Sequence, residues 1–223
     1  MSEAQAAIAV ESSRALRLAD AAEREDLANF VGRAVRLDSA ALVRLRARGD
    51  GTISVWASTK LDVLVARAVR GQLHPTDTTV KAKELLTTLA VLQTETVDPG
   101  TSMDHAWRTA PPPLSGYSHV DDVPATVVNE LVERGVALAR EHPGPGGGPP
   151  ASLLDQDVLT VEGGGEQVGV ALRCIFALSG MGFVGEGGSE PIRVRVSGGW
   201  LRLDGLYGSV LRRRHPQLPL LLA

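Results

Sequence analysis

Apolar and polar residues follow two rhythms along this chain, and the change from one to the other divides it. Leu27, Phe30 and Val31 recur at helical spacing behind Asp20 and Glu23, a pair placed to cap a first turn, and predict an amphipathic helix over residues 21–33. From residue 41 the period drops to two. Val43 and Leu45 alternate with Arg44 and Arg46, Asp50 and Gly51 give a turn signal, and Ile53, Val55 and Ala57 alternate with Thr52, Ser54 and Trp56. That is a β-hairpin pattern. Leu61, Val63, Val65 and Val69 continue it and predict a third strand of an antiparallel meander. Pro75 breaks the chain, and Asp77 is placed to cap a helix carrying Ala82, Leu85, Leu86, Leu89 and Leu92 on one face. The result is an α-β-β-β-α lobe over 20–95 behind a flexible N-terminus at 1–19.

Residues 96–122 contain Pro99, Gly100 and Pro111, Pro112 and Pro113, and predict an irregular Pro-rich connector. A second lobe, 123–223, opens with a helix over 124–141 that carries Val128, Leu131, Val132, Gly135, Leu138 and Ala139 and has Asp121 and Asp122 as caps. The stretch 143–150, PGPGGGPP, predicts a flexible loop. Leu153 and Leu154 then suggest a short helix and 158–161 a short strand. Gln167 to Ser179 reads as a helix apolar nearly all round, with one alternative: a hairpin whose second strand takes Val168 and Val170. Ile192, Val194 and Val196 alternate with Arg193, Arg195 and Ser197, and after Gly198 and Gly199 the run Trp200 to Leu203 completes a second hairpin. Helix, short helix, glycine turn, helix and hairpin is the order of a winged-helix domain. The predicted class is therefore α+β: an N-terminal antiparallel β-meander packed by helices, and a C-terminal helical lobe with a β-hairpin, winged-helix-like.

Composition narrows the function classes. With 43% hydrophobic and 22% charged residues the 223-residue chain has enough apolar material for a core, whereas 4% aromatics leave little for base stacking. A net charge of −3 provides no general pull toward nucleic acid or anionic lipid. Cys174 is the single cysteine, so no internal disulfide forms and a reducing, cytoplasmic setting is expected, with the thiol a buried apolar group. The N-terminal residues lack the basic and apolar regions of a secretory signal, and no apolar run reaches the roughly 18 residues of a membrane span.

Three constellations bear on chemistry. The connector gathers Asp104, His105, Trp107, Arg108, Tyr117, His119, Asp121 and Asp122, and His105, His119 and Asp121 are the candidate acid–base residues should that loop fold back on itself. Arg193, Arg195, Arg202, Arg212, Arg213 and Arg214 are the candidate phosphate contacts of a DNA-binding lobe, although seven acids balance the seven arginines between Ala151 and Ala223. Gly180, Gly182 and Gly185 spell GxGxxG, but a helix precedes them where a dinucleotide fingerprint needs a strand, and Gly180 reads as the helix C-cap. Arg173 stands on an otherwise apolar helix and calls for a carboxylate, Asp155 or Asp157. No HExxH, GxSxG, Walker A or paired CxxC occurs, and no metal or cofactor is expected.

The runs RAVRLDSAALVRLRARGDGTISVWASTKLDVLVARAV, VPATVVNELVERGVALARE and ALSGMGFV resemble the conserved hypothetical proteins common in actinobacteria. That resemblance covers most of the chain and implies a high-GC source, with no activity, cofactor or site residue attached. The expected function is a non-enzymatic protein-interaction or regulatory role. Trp56 on the meander, and Trp200 with Leu220, Leu221 and Leu222, would face a protein partner or a second copy. The alternatives are a winged-helix DNA-binding regulator and a small enzyme using the 104–122 loop.

Overall fold

The computed structural model describes residues 14–91, 94–144, 148–185 and 190–214. The chain separates into two units, the first spanning residues up to Lys60 and Ala66–Thr109, the second Leu61–Val65 and Ala110 onward.

In the first unit, β1 (Ala15–Leu18) leads into α1 (Ala21–Leu37), followed by β2 (Leu42–Ala47), β3 (Thr52–Ser58), β4 (Leu64–His74), β5 (Asp77–Lys81), α2 (Ala82–Val91) and the short β6 (Thr96–Val97). Strand order is β5-β2-β3-β4, with β1 antiparallel to both β4 and β6. Asp20 caps α1 by accepting from Glu23 N at 2.9 Å. The Glu23 carboxylate closes no capping box; it takes the Arg70 backbone N–H at 2.9 Å and its Nε at 2.7 Å, fastening the helix start to β4. Gly51 adopts φ +78° at the β2–β3 turn, the left-handed geometry a tight hairpin needs. Both faces of β3 are buried, Ile53, Val55 and Ala57 on one and Ser54 and Trp56 on the other. Asp77 begins a strand and caps no helix. The β-branched run Thr78, Thr79 and Val80 pairs with β2, and α2 starts at Ala82, its far end at Leu92 lying outside the described residues.

The second unit runs β7 (Ser118–Val123), α3 (Ala125–Glu141), α4 (Ala151–Leu154), β8 (Asp157–Gly163), β9 (Glu166–Ala171), α5 (Leu172–Gly180), β10 (Ile192–Ser197), β11 (Trp200–Gly205) and β12 (Gly208–Arg213). The order β12-β11-β10-β7 forms one antiparallel sheet, and β8–β9 is a hairpin. This arrangement corrects the winged-helix expectation at three points. The segment expected as one helix from Gln167 is a strand to Ala171 and a helix from Leu172; the hairpin alternative is the one that forms, with Val168 and Val170 in its second strand, and the period then changes without an intervening turn. Arg212 and Arg213, expected in a basic tail, belong to β12, which adds a third strand to the hairpin. Asp121 and Asp122 sit in β7 and pair with β10 instead of capping α3, whose N-cap position is Pro124. Gly180 ends α5 with Met181 as cap residue, and the left-handed position, φ +61°, falls on Gly182.

The two units share a plan. In each, a strand leading into one helix pairs antiparallel with the strand that follows the other helix: β5 with β2 and β1 with β6 in the first, β7 with β10 and β9 with β8 in the second. The long β-α-β-β-β run comes first in the first unit and last in the second. The class is α+β and mainly antiparallel. Among the described residues no helix is long and apolar enough to cross a membrane.

Candidate interaction site

Residues 98–107 bind the outer edge of β5. The Met103 N–H donates to Thr79 O at 2.8 Å, and the Thr79 N–H donates to Asp104 Oδ1 at 2.5 Å, so backbone groups that would offer an open sheet edge are taken by the same chain. Burial alone would push the Asp104 carboxyl up, but hydrogen bonds from Ser102 and Thr79 outweigh it and hold the group below its usual range. Arg44 grips Asp77 with two bonds, 2.8 and 2.9 Å, and lies 5.9 Å from the Trp107 ring centroid. Asp104 therefore secures an edge, and His105 is exposed on a short 3-10 turn beside it. Asp104→Ala is expected to cost about 1–3 kcal/mol by leaving the Thr79 N–H without a partner, read as a lower urea midpoint and faster exchange of that one amide. Unchanged exchange at Thr79 would refute the edge-capping role.

The other acid–base candidates lie on β7 in the second unit. His119 faces Arg195 and Asp122 faces Arg193 across the β7–β10 ladder, with a bulge between Val194 and Arg195. His119 Nε2 is 3.0 Å from Asp122 Oδ1, and Arg193 Nε donates to the same oxygen at 3.3 Å. The His119 hydrogen bond, with help from Arg193, holds the Asp122 carboxyl below its ordinary range against the opposing effect of burial. Asp121 is exposed and accepts its neighbour's backbone N–H at 2.8 Å. His105 and His119 belong to different units, and among the described residues no group of three His, Cys, Asp or Glu is placed to hold a metal.

Five of the six candidate phosphate contacts are ion-paired. Arg193 meets Asp122 at 3.3 Å, Arg195 and Arg202 share Asp204 at 3.6 and 2.6 Å, Arg212 meets Asp155 at 2.9 Å, and Arg214 meets Glu166 at 3.1 Å. Arg213 stacks 5.3 Å from the Trp200 ring centroid. Trp200 itself is 7% exposed and Trp56 3%, so both belong to the core of this chain, while Leu220, Leu221 and Leu222 lie outside the described residues. Tyr117, beneath Arg202 at 5.3 Å, is half-buried, and burial pushes its hydroxyl up to about 12.

Arg173 is 6% exposed and finds the carboxylate its position called for. Its Nη2 donates to Asp155 Oδ1 at 2.7 Å and its Nη1 to the Leu61 carbonyl at 2.6 Å, with Asp62 Oδ2 3.7 Å away. Cys174 beside it is a buried thiol that burial pushes up to about 12, out of the nucleophilic range. A groove of about 430 Å³ opens between α3 and α5, lined by Val136, Ala139, Arg140, Pro143, Pro149 and Phe176. Gly135 makes it: a Cβ there would come within 2.9 Å of the Phe176 ring, so the bare glycine lets that ring lie against α3.

Two family models match in tandem. Residues 11–109 match a domain of unknown function, DUF8010, and residues 112–217 match a second, DUF8185. No curated protein matches the sequence. Among solved structures it is similar to the DNA polymerase sliding clamp of Bacillus subtilis (TM-score 0.58, 10% identity), to the sliding clamp of Bartonella birtlesii bound to griselimycin (0.56, 12%) and to the DNA polymerase III β subunit of Thermotoga maritima (0.52, 13%). Each likeness covers 90% of this chain and 64% of the clamp, so the chain spans just under two thirds of those proteins. What they share is the fold, an antiparallel sheet architecture with helices, and it replaces the winged-helix expectation for the DUF8185 domain.

Sequence reasoning drew the α3 stripe through Val128, Leu131 and Gly135, which bury, and also through Leu138, which is 43% exposed, but nothing in it set Val136 and Ala139 of α3 opposite Phe176 of α5. A glycine in mid-helix was the available signal, since such a residue marks a close approach.

Proposed function

We propose that this DUF8010–DUF8185 tandem is a non-enzymatic interaction protein that docks on a partner protein through its C-terminal apolar segment, Leu220, Leu221 and Leu222. The observation that carries the reading is where the polar side chains go. The histidines and acids of the connector are tied into strand ladders or exposed singly, and the arginines that would suit phosphate are neutralised by carboxylates of their own domain. The four longer helices continue the balance: Arg24, Arg33, Arg36, Lys83, Arg134, Arg140 and Arg173 are matched by Glu23, Glu25, Asp26, Glu84, Glu130, Glu133 and Glu141. A surface so balanced releases few counterions and gives weak support to a nucleic-acid role. Solved structures of similar fold are named as polymerase sliding clamps and polymerase subunits, which favours an assembly component over a catalyst. Burial of both tryptophans moves the partner contact to the leucine segment. The single cysteine favours a cytoplasmic setting.

In the test, the purified full chain is immobilised, a partner is captured from lysate of the source organism and identified, and its affinity is then measured with purified components. Replacing Leu220, Leu221 and Leu222 by alanine is expected to weaken binding at least 100-fold, since each buried leucine contributes about 1.5–3 kcal/mol. Equal affinity of the triple variant would overturn the docking assignment. A salt-dependent shift of duplex DNA lost with Arg212→Ala, Arg213→Ala and Arg214→Ala would overturn the protein-partner reading itself.

A further inference from the structure

We infer that the C-terminal segment of this chain, residues 216–222, docks in the groove between α3 and α5 of its own DUF8185 domain, so that the element offered to a partner is held back by the body until the partner takes it. The inference rests on the partner-docking reading above and adds a regulation to it.

Three observations select this occupant. Among the described residues the groove is apolar except for Arg140: Val136, Ala139, Pro143, Pro149 and Phe176 supply its walls, and a concave apolar surface of about 430 Å³ is of a size that takes several side chains. The segment matches in character. PQLPLLL contains four leucines and no charge, and such a run is driven from water in proportion to its apolar area. Its position matches as well. The described chain ends at Arg214, paired with Glu166 of β9 at 3.1 Å, and β12 packs on α5, the helix that carries Phe176. Nine residues follow Arg214 and extend at most about 30 Å, comparable to the width of a domain of about 100 residues. Pro216 and Pro219 have no N–H, so the segment is richer in acceptors than donors, and Arg140 at the rim can only donate.

Hydrogen exchange on the full chain tests this. Amides 136–142 are expected to exchange at least 10-fold faster in the Leu220→Ala, Leu221→Ala, Leu222→Ala variant than in the unaltered chain, and free peptide 215–223 added to the variant is expected to restore protection. Ala139→Glu, at a half-buried position of the groove wall with the tail intact, is expected to deprotect the same amides and to raise partner capture by releasing the tail. Equal exchange in all three proteins would overturn the inference. So would protection that fades on dilution, because the groove would then be filled by the tail of a second copy. Should Ala139→Glu leave exchange and capture unchanged while the triple variant loses the partner, the docking function stands and the self-docking falls. Should exchange respond while no partner is captured, the reverse holds.

Discussion

Arg173→Ala is expected to lower the unfolding free energy of the second unit by about 3 kcal/mol, the largest effect of any single side-chain truncation outside the apolar core. The guanidinium is 6% exposed and is shared between two groups distant in sequence, the Asp155 carboxylate and the Leu61 carbonyl. Removing it strands that carbonyl, forfeits the packing of a long stem and loosens Leu61–Val65, which groups with the second unit although the chain on both sides of it belongs to the first. The charge on Asp155 is not left buried and alone, because Asp155 is half exposed and keeps Arg212 at 2.9 Å; this holds the expected loss at the low end of the range seen when a fully buried pair is broken. Arg173→Met separates the contributions. It restores the stem without the charge and is expected to recover about half the loss. Urea unfolding followed by fluorescence includes Trp200, which lies in this unit. A loss under about 0.5 kcal/mol for the alanine variant would show that Leu61 is held by something else.

Gly163→Ala should cost a similar amount, about 3 kcal/mol, by a steric route. A Cβ at Gly163 would fall well inside the contact distance of the Val120 carbonyl oxygen, and backbone cannot swing aside as a flexible side chain can. The β8–β9 hairpin crosses β7 at this point, so the substitution pushes apart the strand that carries His119 and the hairpin that carries Glu166. The midpoint of thermal unfolding is expected to fall by about 10 °C. Gly199→Ala, where the nearest heavy atom is 3.9 Å away, serves as control and is expected to be nearly silent. A Gly163 variant as stable as that control would mean that the hairpin tolerates displacement from β7.

Much of the local structure was legible. Asp20 and Glu23 announced the start of α1, although the Glu23 carboxylate went to Arg70, 47 residues away, a partner that no capping pattern encodes. Asp50 and Gly51 announced the β2–β3 hairpin. Asp77 was misjudged because an aspartate before an apolar run suits a helix cap and a strand end equally, and Arg44 across the sheet decided between them. Val210 and Leu211, buried in β12 between exposed and polar neighbours, were passed over because the three arginines after them look like a solvated tail. For the candidate site, the need of Arg173 for a carboxylate could be read from its apolar setting, whereas the Leu61 carbonyl, 112 residues away, could not.

By itself the sequence determined the period of each segment, most of the turns, the lack of a catalytic motif and the balance of charge, because each depends on residues within one or two turns of chain. The tertiary structure alone decided which strand lies beside which, and hence that the basic strand faces are neutralised, that the connector caps a sheet edge and that a groove opens above Phe176. Those outcomes depend on pairing register between segments tens of residues apart, and register is set by the burial of all the strands together.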